Sequence, residues 1–442
     1  MAGIFSSGTG YAVDGDLPIG YGTKNKAMGG AGMALPEEAA AVINNPATAL
    51  AVAGQMQAGL SVFHPRARYS TTESSNNGEN GAFTIGPNAL DSKSGYRYLP
   101  YFATSAKVKE NTAVAVALYT RAGMNLDFRG GTASFDADGN GVATYPGTYG
   151  DGDAKWSTYQ IMLDMAYAWQ LNEKLSFGIT GVLASQSFSV SGIATMAPFT
   201  QTYASSGGAM TPRDLSGNGS DWTYGGGAKV GLHAQLTPAI SVGLMYQSKI
   251  YMTKINDYSD LLPGGGEFDM PADLKIGITW KALDNLAFSV DAEHIFYGGV
   301  GAYSNPVQNL LDCPTANQGG TDVTRCLGGK NGASLGWESI NVYKFGGRWA
   351  INDRWTLRAG LALTDQPIKN PQTSNNLLTS YLAETHYTLG FSWAVDDHAE
   401  LNFSAYYSEE ESQIWPNFFD PSQDVKIESD LFDFELSYSW KF

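Results

Sequence analysis

No run of about eighteen apolar residues occurs anywhere in the chain, which excludes a transmembrane helix on length. Charge is also scarce, at 16% of residues, and the balance is acidic, with a net charge of −16. An acidic chain repels phosphate, so nucleic acid is not expected as a partner. The five histidines (His64, His233, His294, His386 and His398) show no metal-ligand spacing. Cysteine is limited to Cys313 and Cys326, which share one polar stretch. A disulfide there would close a short loop and stabilise by about 3 kcal/mol; the alternative is two free surface thiols. The start, Met1-Ala2-Gly3-Ile4-Phe5-Ser6, has neither a basic cluster nor an apolar run, so no secretory signal is visible. If the protein is exported, the sequence is expected to be its processed form. No Ser or Thr with a matching His marks a nucleophile, so catalysis is not expected.

Glycine and aromatic residues are abundant: 52 Gly, 10 Trp, 24 Tyr and 20 Phe. The chain of 442 residues is too long for one ordinary soluble core unless it forms a large barrel or several domains. Mean hydropathy is only −0.20, yet a barrel strand needs just about ten residues with every second one apolar.

Six places show two alternating runs joined by a short polar turn: 109–111, 172–174, 237–238, 284–285, 352–354 and 396–398. Between them lie long connections rich in Gly, Ser, Asn, Asp and Pro, at 72–94, 125–153, 193–219, 258–270, 300–336, 369–379 and 413–428. Short and long connections alternate, as in an up-and-down barrel with tight turns on one side. About fourteen strands result, many longer than the five or six residues usual in soluble proteins. In the last one, Phe432, Phe434, Leu436, Tyr438, Trp440 and Phe442 share one face, and Asp433, Glu435, Ser437, Ser439 and Lys441 the other. Apolar outward faces with aromatics at both ends match the two interfaces of a bilayer. The fold expected is therefore all-β: a transmembrane antiparallel β-barrel in the bacterial outer membrane.

One stretch breaks this pattern. Lys26 to Ala47 is small and apolar, with Gly29, Gly30 and Gly32 in front and Asn45-Pro46-Ala47 closing it. Leu35–Val42 is expected to form two helical turns, with Pro36 in the first turn and Glu37-Glu38 at the positive end. The glycines let the backbone run close to another surface. Residues 1–50 are thus expected to be a tail and a helical hatch plugging the lumen, and 51–442 the barrel.

The Gly-rich stretch ending in Asn45-Pro46-Ala47, followed by about fourteen strands and the terminal Phe442, resembles the FadL/TodX family of outer-membrane transporters of hydrophobic compounds. The resemblance implies passive uptake of long-chain fatty acids or similar amphiphiles. Small aromatic hydrocarbons are the alternative substrate class, and a general diffusion porin or a barrel enzyme the rival functions. It also implies capture by an apolar groove among extracellular loops, an inner pocket touched by the N-terminal tail, and lateral exit at a kink in the third strand. Residues 112–124 are that strand here, and Gly123, with Ala122 and Arg121 before it, is the expected kink; an ordinary glycine at a strand end is the alternative. Loop 193–219 fits the groove, with Met196, Phe199 and Tyr203, facing Leu261, Leu262 and Phe268 of 258–270. Ile4 and Phe5 are expected in the inner pocket.

Two weaker signals remain. Asp136, Asp138 and Asn140 match the first half of a calcium loop, but Gly147 stands where a bidentate Glu belongs, so a solvated Asp-Gly turn is preferred and no cofactor is expected. The acidic run Glu409-Glu410-Glu411 is read as a solvated loop edge, with divalent-ion bridging to lipopolysaccharide as a minor alternative. The expected partners are therefore a hydrophobic small molecule and outer-membrane lipid. A closed barrel has no free edge strand, so a monomer is the default.

Overall fold

The computed structural model describes residues 15–442 except 88, 138, 380 and 381. Ile4 and Phe5 lie outside the described residues, as does Asp138. The chain forms a closed antiparallel barrel of fourteen strands. In order they are β1 (Gln55–Thr71), β2 (Arg97–Lys109), β3 (Thr112–Ala122), β4 (Ala154–Asn172) and β5 (Leu175–Ser191). Then follow β6 (Asp221–Thr237), β7 (Ile240–Gln247), β8 (Asp273–Leu283), β9 (Leu286–Ile295) and β10 (Ile340–Ala350). The last four are β11 (Trp355–Thr364), β12 (Thr385–Ala394), β13 (Ala399–Asn417) and β14 (Asp420–Lys441). Each pairs with the next, and β14 closes on β1 from Gln55 opposite Lys441 to Thr71 opposite Val425.

The alternation sorts side chains as a lipid-facing wall requires. On β14, Phe434 and Leu436 are each 51% exposed while the alternating Asp433 and Glu435 are buried. Trp280, Trp349, Trp355 and Trp440 are exposed near the tight-turn end, where an aromatic belt meets headgroups.

The connection between β13 and β14 differs from the loop expected over 413–428. The two strands continue as a hairpin to a turn between Asn417 and Asp420, with Gln413, Ile414 and Trp415 paired to Ile427, Lys426 and Val425. Val425 and Ile427 are fully buried beneath the loops, and that burial outweighs the polar residues around them. The other long connections pack into a cap that includes a small sheet of Thr84–Ile85, Thr132–Phe135 and Ala143–Pro146.

Residues 15–54 run inside the ring. They contact inward-facing groups from β1 (Ser61, Gln57) round to β14 (Asp433, Glu435), including Asp291 of β9, Arg358 of β11 and Thr388 of β12. The helix expected over 35–42 does not form. Instead there are two four-residue helices, α1 (Thr23–Lys26) and α2 (Ala41–Asn44), and a 3-10 turn over Pro46–Leu50. The cause lies in the two glutamates. Glu37 reaches Arg348 and Arg358 on the wall at 3.0 and 2.6 Å, and Glu38 accepts from the Lys24 and Asn25 amides opening α1. A buried Glu38 and a half-buried Glu37 held by those donors outweigh the helical propensity of two turns.

Candidate functional site

The enclosed segment is anchored by charge as well as by packing. Lys24 pairs with Glu400 at 2.8 Å and Lys26 with Glu435 at 2.6 Å, all four side chains largely buried. The apolar side packs Val42 and Ile43 against small inward residues, among them Ala115 and Ala117 of β3 and Ala166 of β4. Asn45 donates its amide to the Leu232 carbonyl of β6 at 2.9 Å, and its side-chain oxygen accepts from the Ala47 amide at 3.0 Å. Pro46 and Ala47 lie so close to β5 that a Cβ at Gly178 would sit 2.4 Å from the Ala47 nitrogen. Gly29, Gly30 and Gly32 all have positive φ (70°, 77° and 104°). A Cβ at Gly29 would sit 2.8 Å from the Leu361 nitrogen on β11.

Above this segment the long connections enclose an apolar cavity of about 100 Å³. All seven contribute to its wall: Ile85, Tyr149, Met196, Leu261 and Leu262, Leu327, Leu378 and Phe419. Its polar groups are Ser334, Asn375, Thr379 and Asn417, and no charged side chain lines it. Of the residues singled out from sequence, Met196, Leu261 and Leu262 line the cavity. Phe199 packs beside it against Phe419, with ring centroids 5.8 Å apart and the rings tilted by 41°. Tyr203 stands on the short helix Gln201–Ser205, with its hydroxyl side near Gly208, away from the lining. Phe268 lies below, fully buried against Trp156, Phe188 and Tyr303.

The disulfide Cys313–Cys326 holds one rim of the cavity. Next to it, the Leu327 amide donates to the Phe199 carbonyl at 2.9 Å and the Gln201 amide to the Leu327 carbonyl at 2.8 Å. The Asp136 carboxylate accepts from the Gly139 amide at 2.8 Å, closing a local turn. Nearby Asp151 and Asp153 accept from the Ala194 and Gly130 amides at 2.8 and 3.0 Å, so both serve to join loops.

Beneath the cavity the wall is interrupted. The β2–β3 ladder ends at Tyr101 opposite Tyr119, and Pro100, with no N–H to donate, stands at the next position. Beyond that point β2 pairs only with β1, through Leu99 opposite Ser61 and Arg97 opposite Phe63. β3 shifts register on β4 between Thr120 and Ala122, and the chain rejoins β4 at Asn125–Phe128. The shift centres on Arg121, two residues before Gly123, where a Cβ would meet nothing nearer than the Thr158 carbonyl at 3.5 Å. Tyr21 donates its hydroxyl to the Arg121 carbonyl at 3.1 Å, tying the enclosed segment to the break. A small recess lined by Leu99, Pro100, Tyr119, Thr120, Pro18 and Tyr21 leads from the lumen to this seam.

The Arg121 side chain turns inward and is buried. Its Nη1 donates to Gln160 Oε1 at 2.6 Å and stands 3.7 Å from the Asp16 carboxylate. Asp16 accepts from the Tyr297 hydroxyl at 2.7 Å and the Tyr303 hydroxyl at 2.6 Å. Burial, and then the Asp16 charge, push both hydroxyls well above the ordinary tyrosine range, so they remain donors. The sequence reading missed Asp16, Tyr297 and Tyr303. Their only advance signal was the density of tyrosine in the loops, which does not say which carboxylate they serve.

A family model described as outer membrane protein transport protein (OMPP1/FadL/TodX) matches residues 5–431. Nothing among the curated proteins matches the chain. Among solved structures, the fold is similar to the toluene transporter TodX of P. putida, at 17% identity and TM-score 0.67, covering 96% of this chain and 99% of that one. A Pseudomonas aeruginosa FadL homologue is similar at 16% identity and TM-score 0.66, covering 97% and 100%. The toluene transporter TbuX of Ralstonia pickettii follows at 18% and 0.61, covering 96% and 99%. At these identities the likeness to solved structures shows the fold alone.

Proposed function

The chain belongs to the OMPP1/FadL/TodX family of outer-membrane transport proteins, and from that premise we propose that its substrates are long-chain fatty acids or similar amphiphiles. The family is one of transporters for hydrophobic compounds, and the barrel is an integral outer-membrane protein. The observation that carries the finer reading is the uncharged cavity set above a buried arginine at the break between β2 and β3.

Each methylene taken from water stabilises the bound state by about 0.8 kcal/mol, so a sixteen-carbon tail gains on the order of 12 kcal/mol in a dry site. That gain needs no coupled energy source. A tail held among Leu261, Leu262 and Leu327 moves past Trp156 and Phe268 without meeting a charged wall. The seam beside Pro100 and Thr120 then releases it sideways into the bilayer, so the tail never crosses water. Residues 15–54, as a hatch, close the lumen to polar solutes while this happens. Arg121, Ala122 and Gly123 form the lateral opening in this scheme, and Asn45, Pro46 and Ala47 fix the hatch to β5 and β6. Binding opens the path only by its differential affinity for the open arrangement.

A second reading, small aromatic hydrocarbons, is favoured by the cavity volume of about 100 Å³. Engineered apolar cavities of about 150 Å³ bind benzene. Uptake of labelled oleate and of toluene into cells bearing the protein, beside Asn45→Ala and Gly123→Arg, separates the readings. Loss of oleate uptake in both variants with toluene unaffected supports the fatty-acid path. Dependence of toluene alone moves the assignment to aromatic hydrocarbons, and equal entry of small sugars regardless of variant overturns the gated path in favour of a porin.

A further inference from the structure

We infer that Tyr149 is a specificity-determining residue of the cap cavity: its hydroxyl donates to one uncharged oxygen on an otherwise apolar ligand. The cavity then prefers alcohol-like molecules to hydrocarbons and to carboxylates of equal size. The inference rests on the reading of the cavity as the ligand's station. It narrows the proposed amphiphiles to those whose oxygen is neutral, the protonated form of a fatty acid included.

Most side-chain donors around the cavity are spent on the protein itself. Ser334 donates its hydroxyl to the Ala302 carbonyl at 2.5 Å, and Thr379 donates to Asn376 Oδ1 at 2.8 Å. Asn417 donates to the Phe83 carbonyl at 2.9 Å and to Gln423 Oε1 at 3.1 Å, and its own oxygen accepts from the Phe419 amide at 3.0 Å. Trp156 gives its indole N–H to Thr158 Oγ1 at 2.9 Å. Asn375 spends one N–H on the Ser334 carbonyl. Tyr149 differs. It lines the cavity, and its hydroxyl has no hydrogen-bond partner among the described residues.

Nearby tyrosines are engaged. The Tyr69 hydroxyl is bonded to Thr148 Oγ1 at 2.8 Å, and Tyr258 donates to the Gly219 carbonyl at 2.6 Å. Desolvation, and then neighbouring Tyr69, push the Tyr149 hydroxyl well above the ordinary tyrosine range, so it stays protonated and remains a donor. A desolvated hydroxyl left unpaired is costly, and an acceptor oxygen brought in by a ligand recovers that cost. The donor is also held in place. Thr195 Oγ1 donates to the Tyr149 carbonyl at 2.6 Å, tying the connection before β4 to the one after β5, and the ring packs on the core beneath.

Charge decides which oxygen fits. No charged side chain lines the cavity, so an ionised carboxylate there would lose its water with no cation to replace it. A neutral oxygen needs only the one bond that Tyr149 offers. Leucines such as Leu261, Leu262 and Leu327 supply the apolar remainder, and the volume of about 100 Å³ suits a short alkyl chain or a single ring around that oxygen. A plain hydrocarbon gains the apolar contacts but leaves the hydroxyl unpaired, and a site built to bond one oxygen discriminates against the analogue that lacks it.

The test uses the full chain in phosphatidylcholine nanodiscs, titrated at neutral pH with hexane, 1-hexanol and hexanoate and followed by tryptophan fluorescence, to which Trp156 in the lining responds. Each ligand is compared with itself between wild type and Tyr149→Phe, so that partition into lipid cancels. Tyr149→Phe is expected to weaken 1-hexanol binding about tenfold and to leave hexane binding unchanged. Hexanoate is expected not to displace 1-hexanol from the wild type. Equal effects of Tyr149→Phe on hexane and 1-hexanol, or none on either, would overturn the inference. Hexanoate displacing 1-hexanol as well as 1-hexanol itself does overturns the neutral-oxygen assignment. Ala333→Phe, which puts a ring into the cavity, is expected to abolish binding of both hexane and 1-hexanol. Binding of both that survives Ala333→Phe, or no binding of either by the wild type, overturns the reading of the cavity as the ligand's station, which separates the two failures.

Discussion

Lys229 on β6 reaches across β5 to Asp164 on β4, with 2.7 Å between the ammonium and the carboxylate. The same ammonium donates to the Ile43 carbonyl at 3.1 Å and to the Tyr119 hydroxyl at 3.0 Å. One cation thus joins the wall, the enclosed segment and the residue at which the β2–β3 ladder stops. Lys229→Met leaves Asp164 buried without its cation and is expected to destabilise the barrel by about 3–5 kcal/mol. Thermal unfolding followed by the gel shift of the folded form measures this. Adding Asp164→Leu to the same chain is expected to recover most of the loss.

Gly360→Val is expected to displace the enclosed segment without unfolding the wall. A Cβ at Gly360 would lie 2.1 Å from the Met28 carbonyl carbon, a main-chain atom that cannot yield cheaply. Single-channel conductance in planar bilayers should rise well above that of the wild type. Gly123→Ala is the matched control, since its Cβ has 3.5 Å of clearance, and conductance should not change.

Removing the disulfide with Cys313→Ser and Cys326→Ser is expected to loosen one rim of the cavity and leave the barrel intact. The bond closes a separation of 13 residues, and its loss costs about 3 kcal/mol in loop-closure entropy. Limited proteolysis should cut between 313 and 326 in the variant at protease levels that spare the wild type. The melting temperature of the strands should stay where it was.

Glu384, just before β12, gives the cap a pH dependence. Burial and then the nearby Glu411 charge push its carboxyl up to about 8, against the Gln366 amide at 3.3 Å and the more distant Lys369; Asp365 adds to the rise. Between its ordinary value near 4.5 and 8 the folded chain keeps a proton that the unfolded chain has lost, so this group's contribution to stability falls as pH rises through that window. Glu384→Gln is expected to match the wild type near pH 4 and to exceed it progressively up to pH 8. Unfolding curves at pH 4, 6 and 8 check the sign.

The wall was legible because alternation is a local property. Phe434 and Leu436 outside, with Asp433 and Glu435 inside, follow from a period of two. The six tight turns follow likewise from Asn, Asp and Pro between hydrophobic runs. The anchors of the enclosed segment were hidden because Lys24 and Lys26 meet Glu400 and Glu435 nearly 400 positions away. The same holds for the cavity, where the Phe83 amide meets the Phe419 carbonyl at 3.0 Å. At the seam the signal was present and passed over. Pro100 inside a strand already marks a place where a ladder cannot run on, as a glycine such as Gly123 marks a place where a strand can bend.

The glycines of the wall also limit what can be inherited separately. Gly178, Gly346 and Gly360 leave room where the backbone of Met28, Pro46 and Ala47 passes. A graft of the first fifty residues into a barrel carrying side chains at those positions would meet atoms along the path its main chain must take. The enclosed segment of this transporter is thus no portable module, and its residues and those glycines can change through descent only in concert.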